Sequence, residues 1–202
     1  MRIGLLGPAE GNTGRFREAA EFLLNDYGVD LAIYLGDDDI APTLISEWAQ
    51  EIMGGPPDEE SFLTQAAQAA LSPDPEQLDV LLARDDEVAR LAAIRCLPPH
   101  PARAVELLND KVIVFVHDKA LLDPEDIENA FLVVYGRAPS HQLHRFGPRV
   151  FFSPGPLDRG QVAVIEREEK GGLSLLRFDP RTGEPLGQDI AGQSSTRMVV
   201  LP

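Results

Sequence analysis

Three observations predict an α/β fold. Residues 3–6, Ile-Gly-Leu-Leu, and residues 31–35 are short apolar strands on either side of a helix spanning about 15–27. Strand, helix and strand in so short a stretch form a βαβ unit, which requires parallel pairing and a right-handed crossover. Residues 112–116 and 131–135 are continuous runs rich in β-branched and aromatic side chains, the pattern of strands buried on both faces. The last fifty residues alternate short strand patterns with glycine turns, which predicts an antiparallel end to the sheet system.

The first helix carries Phe16, Ala19, Ala20, Leu23 and Tyr27 at i, i+3, i+4 spacing, so one face covers a sheet. Residues 43–109 read as wholly helical. A segment over 43–53 presents Leu44, Ile45, Trp48 and Ile52, and Gly54-Gly55-Pro56-Pro57 stops it. Trp48 suits either core packing or an interface anchor. Residues 58–71 form a second helix, with Phe62, Ala66, Ala69 and Ala70 at helical spacing. Asp74-Pro75-Glu76-Gln77 has the chemistry of a helix start, and that third helix could extend to Cys96, with Asp85-Asp86 as a possible break. Pro98, Pro99 and Pro101 end it, and a short helix over 102–109 follows. Asp123-Pro124-Glu125-Asp126 opens another short helix. Further strands are expected at 149–153, 161–167, 172–178 and 196–201.

Composition narrows the class. The 202 residues suffice for one domain, 1–202, with 43–109 as a helical insertion within it. No apolar run approaches the ~20 residues that cross a bilayer. Met1-Arg2-Ile3-Gly4 leads straight into a strand rather than a signal-peptide pattern, and the single Cys96 excludes an internal disulfide and a cysteine-rich zinc site. A reducing cytoplasm is the expected compartment. The net charge of −15 repels phosphate backbones and anionic lipid, so neither a nucleic acid nor a membrane is expected as partner.

Ligands of parallel α/β sheets sit beyond the carboxyl ends of the strands, where Glu10 and Asp37 both fall. The first strand runs into Gly7-Pro8-Ala9-Glu10-Gly11-Asn12 and the second into Gly36-Asp37-Asp38-Asp39. His117-Asp118 ends the strand over 112–116, Gly136-Arg137 ends that over 131–135, and Ser153-Pro154-Gly155-Pro156 forms a later turn. This layout resembles the calcineurin-like metallophosphoesterases, outside the helical middle. Their strand ends carry Asp-x-His, Gly-Asp, Gly-Asn-His, a lone His and Gly-His-x-His, which hold two divalent ions. The resemblance implies an αββα sandwich of two mixed β-sheets flanked by helices.

Position by position, Pro8 stands for the first Asp and Glu10 for the first His. Asp37 keeps the bridging carboxylate and His117 the lone histidine. Residues 94–98, Ile-Arg-Cys-Leu-Pro, offer neither Asn nor His where the third motif belongs. Gly136 is kept, but Arg137 and Pro139 replace both histidines of the last motif. Glu10, Asp37, His117 and Arg137 therefore define a vestigial pocket with no catalytic residues and no metal expected. Arg137 is expected to place its guanidinium in the former ion volume, paired with Asp37 or Glu10. Should any ion bind, it is one manganese or zinc on Glu10, Asp37 and His117. Cys96 is expected to be a buried, inert thiol, and His141 and His144 to lie in a solvated loop.

The loss of ligand types at several motifs, with the strand and turn framework kept, leads to the expectation of a catalytically inactive protein-binding or scaffold module with an unknown protein partner and no cofactor; a retromer subunit resembling these phosphoesterases works through protein contacts. The alternative is a divergent metal-dependent phosphodiesterase or phosphatase using the reduced site.

Overall fold

The computed structural model describes residues 1–72, 74, 76–168 and 171–192. The strand predicted over 196–201 lies outside them. Two mixed sheets face each other. The first contains β1 (Arg2–Leu6), β2 (Leu31–Tyr34), β3 (Ile94–Cys96), β9 (Val162–Arg167), β10 (Leu173–Phe178) and β11 (Pro185–Ala191), in the order β11-β10-β9-β1-β2-β3. The second contains β4 (Ala104–Leu108), β5 (Lys111–Val116), β6 (Leu132–Tyr135), β7 (Gln142–Phe146) and β8 (Arg149–Ser153), in the order β4-β5-β6-β8-β7.

The core between the sheets follows strand alternation. Ile3, Leu5, Leu31 and Ile33 of the first sheet share one cluster with Ile113, Phe115, Leu132, Val134 and Phe152 of the second. Their neighbours Leu6, Ala32 and Tyr34 point the other way, onto α1 (Thr13–Glu21) and α2 (Ile40–Met53). Burying each large apolar side chain contributes about 2 kcal/mol. Trp48 belongs to this outer core at 5% exposure, with the Arg17 guanidinium 4.9 Å from its ring centre, so it packs rather than anchors an interface. The outer face of the second sheet carries a smaller cluster of Val114, Val116, Val133 and Tyr135.

Local chemistry sets the helix ends. The Asn12 side chain accepts from Arg15 N and starts α1, which widens into a π-helical turn over Phe22–Tyr27 before left-handed Gly28 ends it. Asp58 accepts from Ser61 N at 2.7 Å and opens α3 (Glu59–Ala70). In α5 (Pro124–Asn129), Asp123 N donates to Asp126 Oδ2 at 3.0 Å.

The wholly helical reading of 43–109 needs correction. Helices α2, α3 and α4 (Glu76–Leu91) do follow β2, and Asp85-Asp86 lie within an unbroken α4. The chain then returns to sheet structure. Strand β3 adds parallel to β2, Ala32 opposite Ile94, instead of extending α4 to Cys96. The expected helix over 102–109 is strand β4, antiparallel to β5. Its apolar run is too short for periodicity to separate helix from strand. The deciding signal is the two-residue turn: Asn109 and Asp110 both adopt left-handed φ, 53° and 57°, which suits a hairpin. Likewise β7, expected as loop, pairs with β8 through a turn containing left-handed Gly147.

Candidate functional site

Because β1, β2 and β3 run parallel in one sheet and β5, β6 and β8 in the other, their carboxyl ends gather six loops at one end of the sandwich. The loops interlock through backbone contacts. Leu157 N donates to Pro8 O at 3.0 Å, and Arg137 N donates to His117 O at 2.7 Å. A Cβ on Gly7 would overlap the Gly155 carbonyl, and one on Gly136 would overlap the Leu35 carbonyl. These two glycines are retained for closeness rather than turn geometry.

His117 and Asp37 come together. His117 Nδ1 lies 2.9 Å from the Leu35 carbonyl, which can only accept, so Nδ1 is the donor. Nε2 is thereby aimed at Asp37 Oδ1, 3.4 Å away. A neutral ring would present a lone pair to a carboxylate there. A proton on Nε2, a cation or a bridging water between the two groups would each make the contact attractive.

The neighbouring carboxylates have other duties. Tyr34, fully buried against Phe16, accepts from Ala9 N at 3.0 Å and donates to Asp38 Oδ1 at 2.9 Å. The phenol thus ties the first loop to the second. Burial raises its pKa far above the ordinary phenol value, and the Asp38 charge adds to the shift. Asp38 also accepts from Ile40 N at the start of α2, so it is structural rather than a solvated neighbour of Asp37. No pattern of spacing marked Tyr34; an aromatic at a buried strand end was the available hint.

Two site expectations are corrected. Arg137 does not pair with Asp37 or Glu10: its Nη1 donates to Asp118 Oδ2 at 2.7 Å, with the side chain 73% exposed. The hydrogen bonds from Gly136 N and Arg137 N to His117 O fold the loop back against the end of β5, where Asp118 is the adjacent carboxylate. Asp118 is held below the usual carboxylate range, first by the Ala120 N–H and then by Arg137. Cys96 is neither helical nor buried: it is exposed at the end of β3. Partial desolvation and the Asp38 charge push its thiol pKa up, which disfavours the thiolate.

A cleft of about 530 Å³ opens beside the pair, walled by Asp37, His117, Cys96, Leu97, Phe115 and Arg103. Glu10 and Arg137 are not among its lining residues; Glu10 is exposed on the first loop at a left-handed φ of 50°. The buried cation of this region is one that sequence reasoning missed. Arg103, only 11% exposed, donates from Nε to Asp126 at 3.0 Å, from Nη1 to Pro101 O at 2.7 Å, and from Nη2 to Leu121 O. Its donors are committed to the loop after β3, to the turn after β5 and to α5.

A bimetal centre would need shared carboxylates, histidines and an open position for water. Among the described residues, no group of three His, Cys, Asp or Glu side chains is placed to hold an ion. Asp37 and His117 alone do not fit the two-ion centre that the resemblance implies.

No family model matches the chain, and no curated protein sequence matches it. Solved structures do. One is a conserved uncharacterized protein of Streptococcus pneumoniae described as a predicted phosphoesterase, at 16% identity over 94% of this chain and 97% of that one, with a TM-score of 0.50. Another is Vacuolar Protein Sorting 29 of Cryptosporidium parvum, at 12% identity over 95% and 98%, also with a TM-score of 0.50. At these identities the likeness is one of fold. The chain has a metallophosphoesterase-like fold, an α/β arrangement of two mixed sheets with flanking helices.

Proposed function

We propose that this protein is a catalytically inactive, protein-binding module on a metallophosphoesterase-like fold. The observation that carries the reading is the fate of the strand ends. Asp37 and His117 meet, but Pro8 and Pro139 offer no ligand atoms, Glu10 stands outside the cleft, and Arg137 is engaged by Asp118. Without paired ions such a site lacks both the activated water and the main stabiliser of phosphoryl charge, each worth several kcal/mol of barrier. The loops nonetheless remain tightly interlocked, as suits a fold kept for its surface. Vacuolar Protein Sorting 29 is the neighbour whose name points away from hydrolysis. Among the described residues no helix is long and apolar enough to cross a membrane, and we place the module in the cytoplasm with a protein partner.

Turnover of a generic phosphodiester in excess manganese tests this. The expected rate is that of the buffer alone, identical for the wild type and Asp37→Ala. Turnover that Asp37→Ala abolishes would replace the scaffold reading with its rival. That rival is a divergent phosphodiesterase with one manganese or zinc held by Asp37 and His117, without the Glu10 ligand expected from the sequence. The orientation of His117 Nε2 toward Asp37 is the observation in its favour.

A further inference from the structure

The charge of this molecule is concentrated in the helices between β2 and β3. Residues 40–91 hold eleven carboxylates against two arginines, a net nine of the chain's fifteen negative charges. Within them α3 is weakly anchored: none of its twelve residues is fully buried. Phe62, Ala66 and Ala69 are half-buried against the rest of the molecule, and the opposite side is apolar too. Leu63 is 57% exposed and Leu71, just past the helix end, 87%. Ala67 and Ala70 are exposed between them. The spacing 63, 67, 70, 71 sets these side chains in one row along the helix. Two leucines about 12 Å apart, with alanines between, make a ridge and hollow into which a second helix can pack closely. Asp58, Glu59 and Glu60 flank the amino-terminal end of the row and, with Leu63 and Ala67, line one shallow surface groove.

We propose that the exposed row of α3 is the docking surface for a basic amphipathic helix of a partner protein, an assignment that rests on the scaffold reading above. Apolar residues of that helix cover Leu63 and Leu71. Its lysines or arginines meet Glu59, Glu60 and the surrounding acidic field, which also steers the encounter. The complementarity decides the occupant: a second copy of this chain would bring like charge to like charge.

The test uses the full chain and a synthetic eighteen-residue peptide of leucine and lysine patterned as an amphipathic helix. Its control is the same peptide with glutamate for lysine. Fluorescence anisotropy should show the lysine peptide binding and the glutamate peptide not. Leu63→Gln with Leu71→Gln should weaken binding at least tenfold, with circular dichroism unchanged since both side chains are exposed. Glu59→Gln with Glu60→Gln should weaken it several-fold and flatten its salt dependence, and Phe146→Gln, an exposed site on β7, should leave it alone. Equal affinity for the leucine double variant, or equal losses from Phe146→Gln, would overturn the assignment to α3. That failure leaves the scaffold reading standing, whereas phosphodiester turnover dependent on Asp37 sinks the scaffold reading.

Discussion

Gly136 and Gly7 show how single residues hold the loop cluster together. Each leaves room for a carbonyl that a methyl group would strike. Gly136→Ala forces the Leu35 carbonyl aside, and Leu35 O is also the acceptor that orients His117. The expected cost is about 1–3 kcal/mol in urea denaturation, typical of overpacking at a tight contact. An unchanged midpoint would show that the loops give way freely. His141 makes a pH prediction. Desolvation, then Arg177, holds its imidazole below the ordinary histidine value, with Asp189 opposing. The unfolded chain therefore takes up this proton first as pH falls. Stability is intact above about 6.5 and declines below it. His141→Gln should flatten the fall in stability between pH 7 and 5, and an identical slope would refute this assignment. Asp37 was legible from sequence as a carboxylate at a strand end, and His117 through the resemblance of its strand end to the metallophosphoesterase motif. The partner of Arg137 was not, because it depends on how the Gly136 loop folds back.

The elements that sequence made plain are those with long or strong patterns: the βαβ opening, β5, β6, β8 and the capped helices. The elements it obscured are short or lie at sheet edges. Strand β3 has three residues, β4 and β11 end their sheets, and β7 is largely exposed. For these, pairing with a neighbour decides the structure and local periodicity carries little information. The β4–β5 hairpin was readable in principle from Asn109-Asp110. Asp110→Gly puts glycine where φ is already 57° and yields the preferred Asn-Gly turn. A gain of about 0.5 kcal/mol is expected by thermal unfolding, and a loss would mean that Asp110 has a role beyond the turn. In native-state hydrogen exchange, amides of α3 should exchange before those of α1, whose Phe16, Ala19 and Ala20 are buried. Equal protection would show that α3 is tied down more firmly than its exposure implies.

At the scale of the molecule, the scaffold reading separates the fold from its chemistry. Two sheets bring six loops to one end, as a bimetal hydrolase requires, yet the loops carry two prolines, an exposed glutamate and a surface arginine where ligands would stand. Sequence comparison of the strand ends was enough to pose this question, since Pro8 and Pro139 lack ligand atoms in any fold. It could not show that Glu10 lies outside the cleft or that Arg103 is the buried cation beside it. The acidic field, strongest over the helices between β2 and β3, repels phosphate groups and is the field that the proposed basic partner would meet.

Metal content after equilibration with excess manganese or zinc and removal of free ions tests the central claim most directly. With too few ligand atoms around Asp37 and His117, the chain should retain only a small substoichiometric trace, unchanged by Asp37→Ala. Stoichiometric retention of a pair of ions, lost in Asp37→Ala, would contradict it.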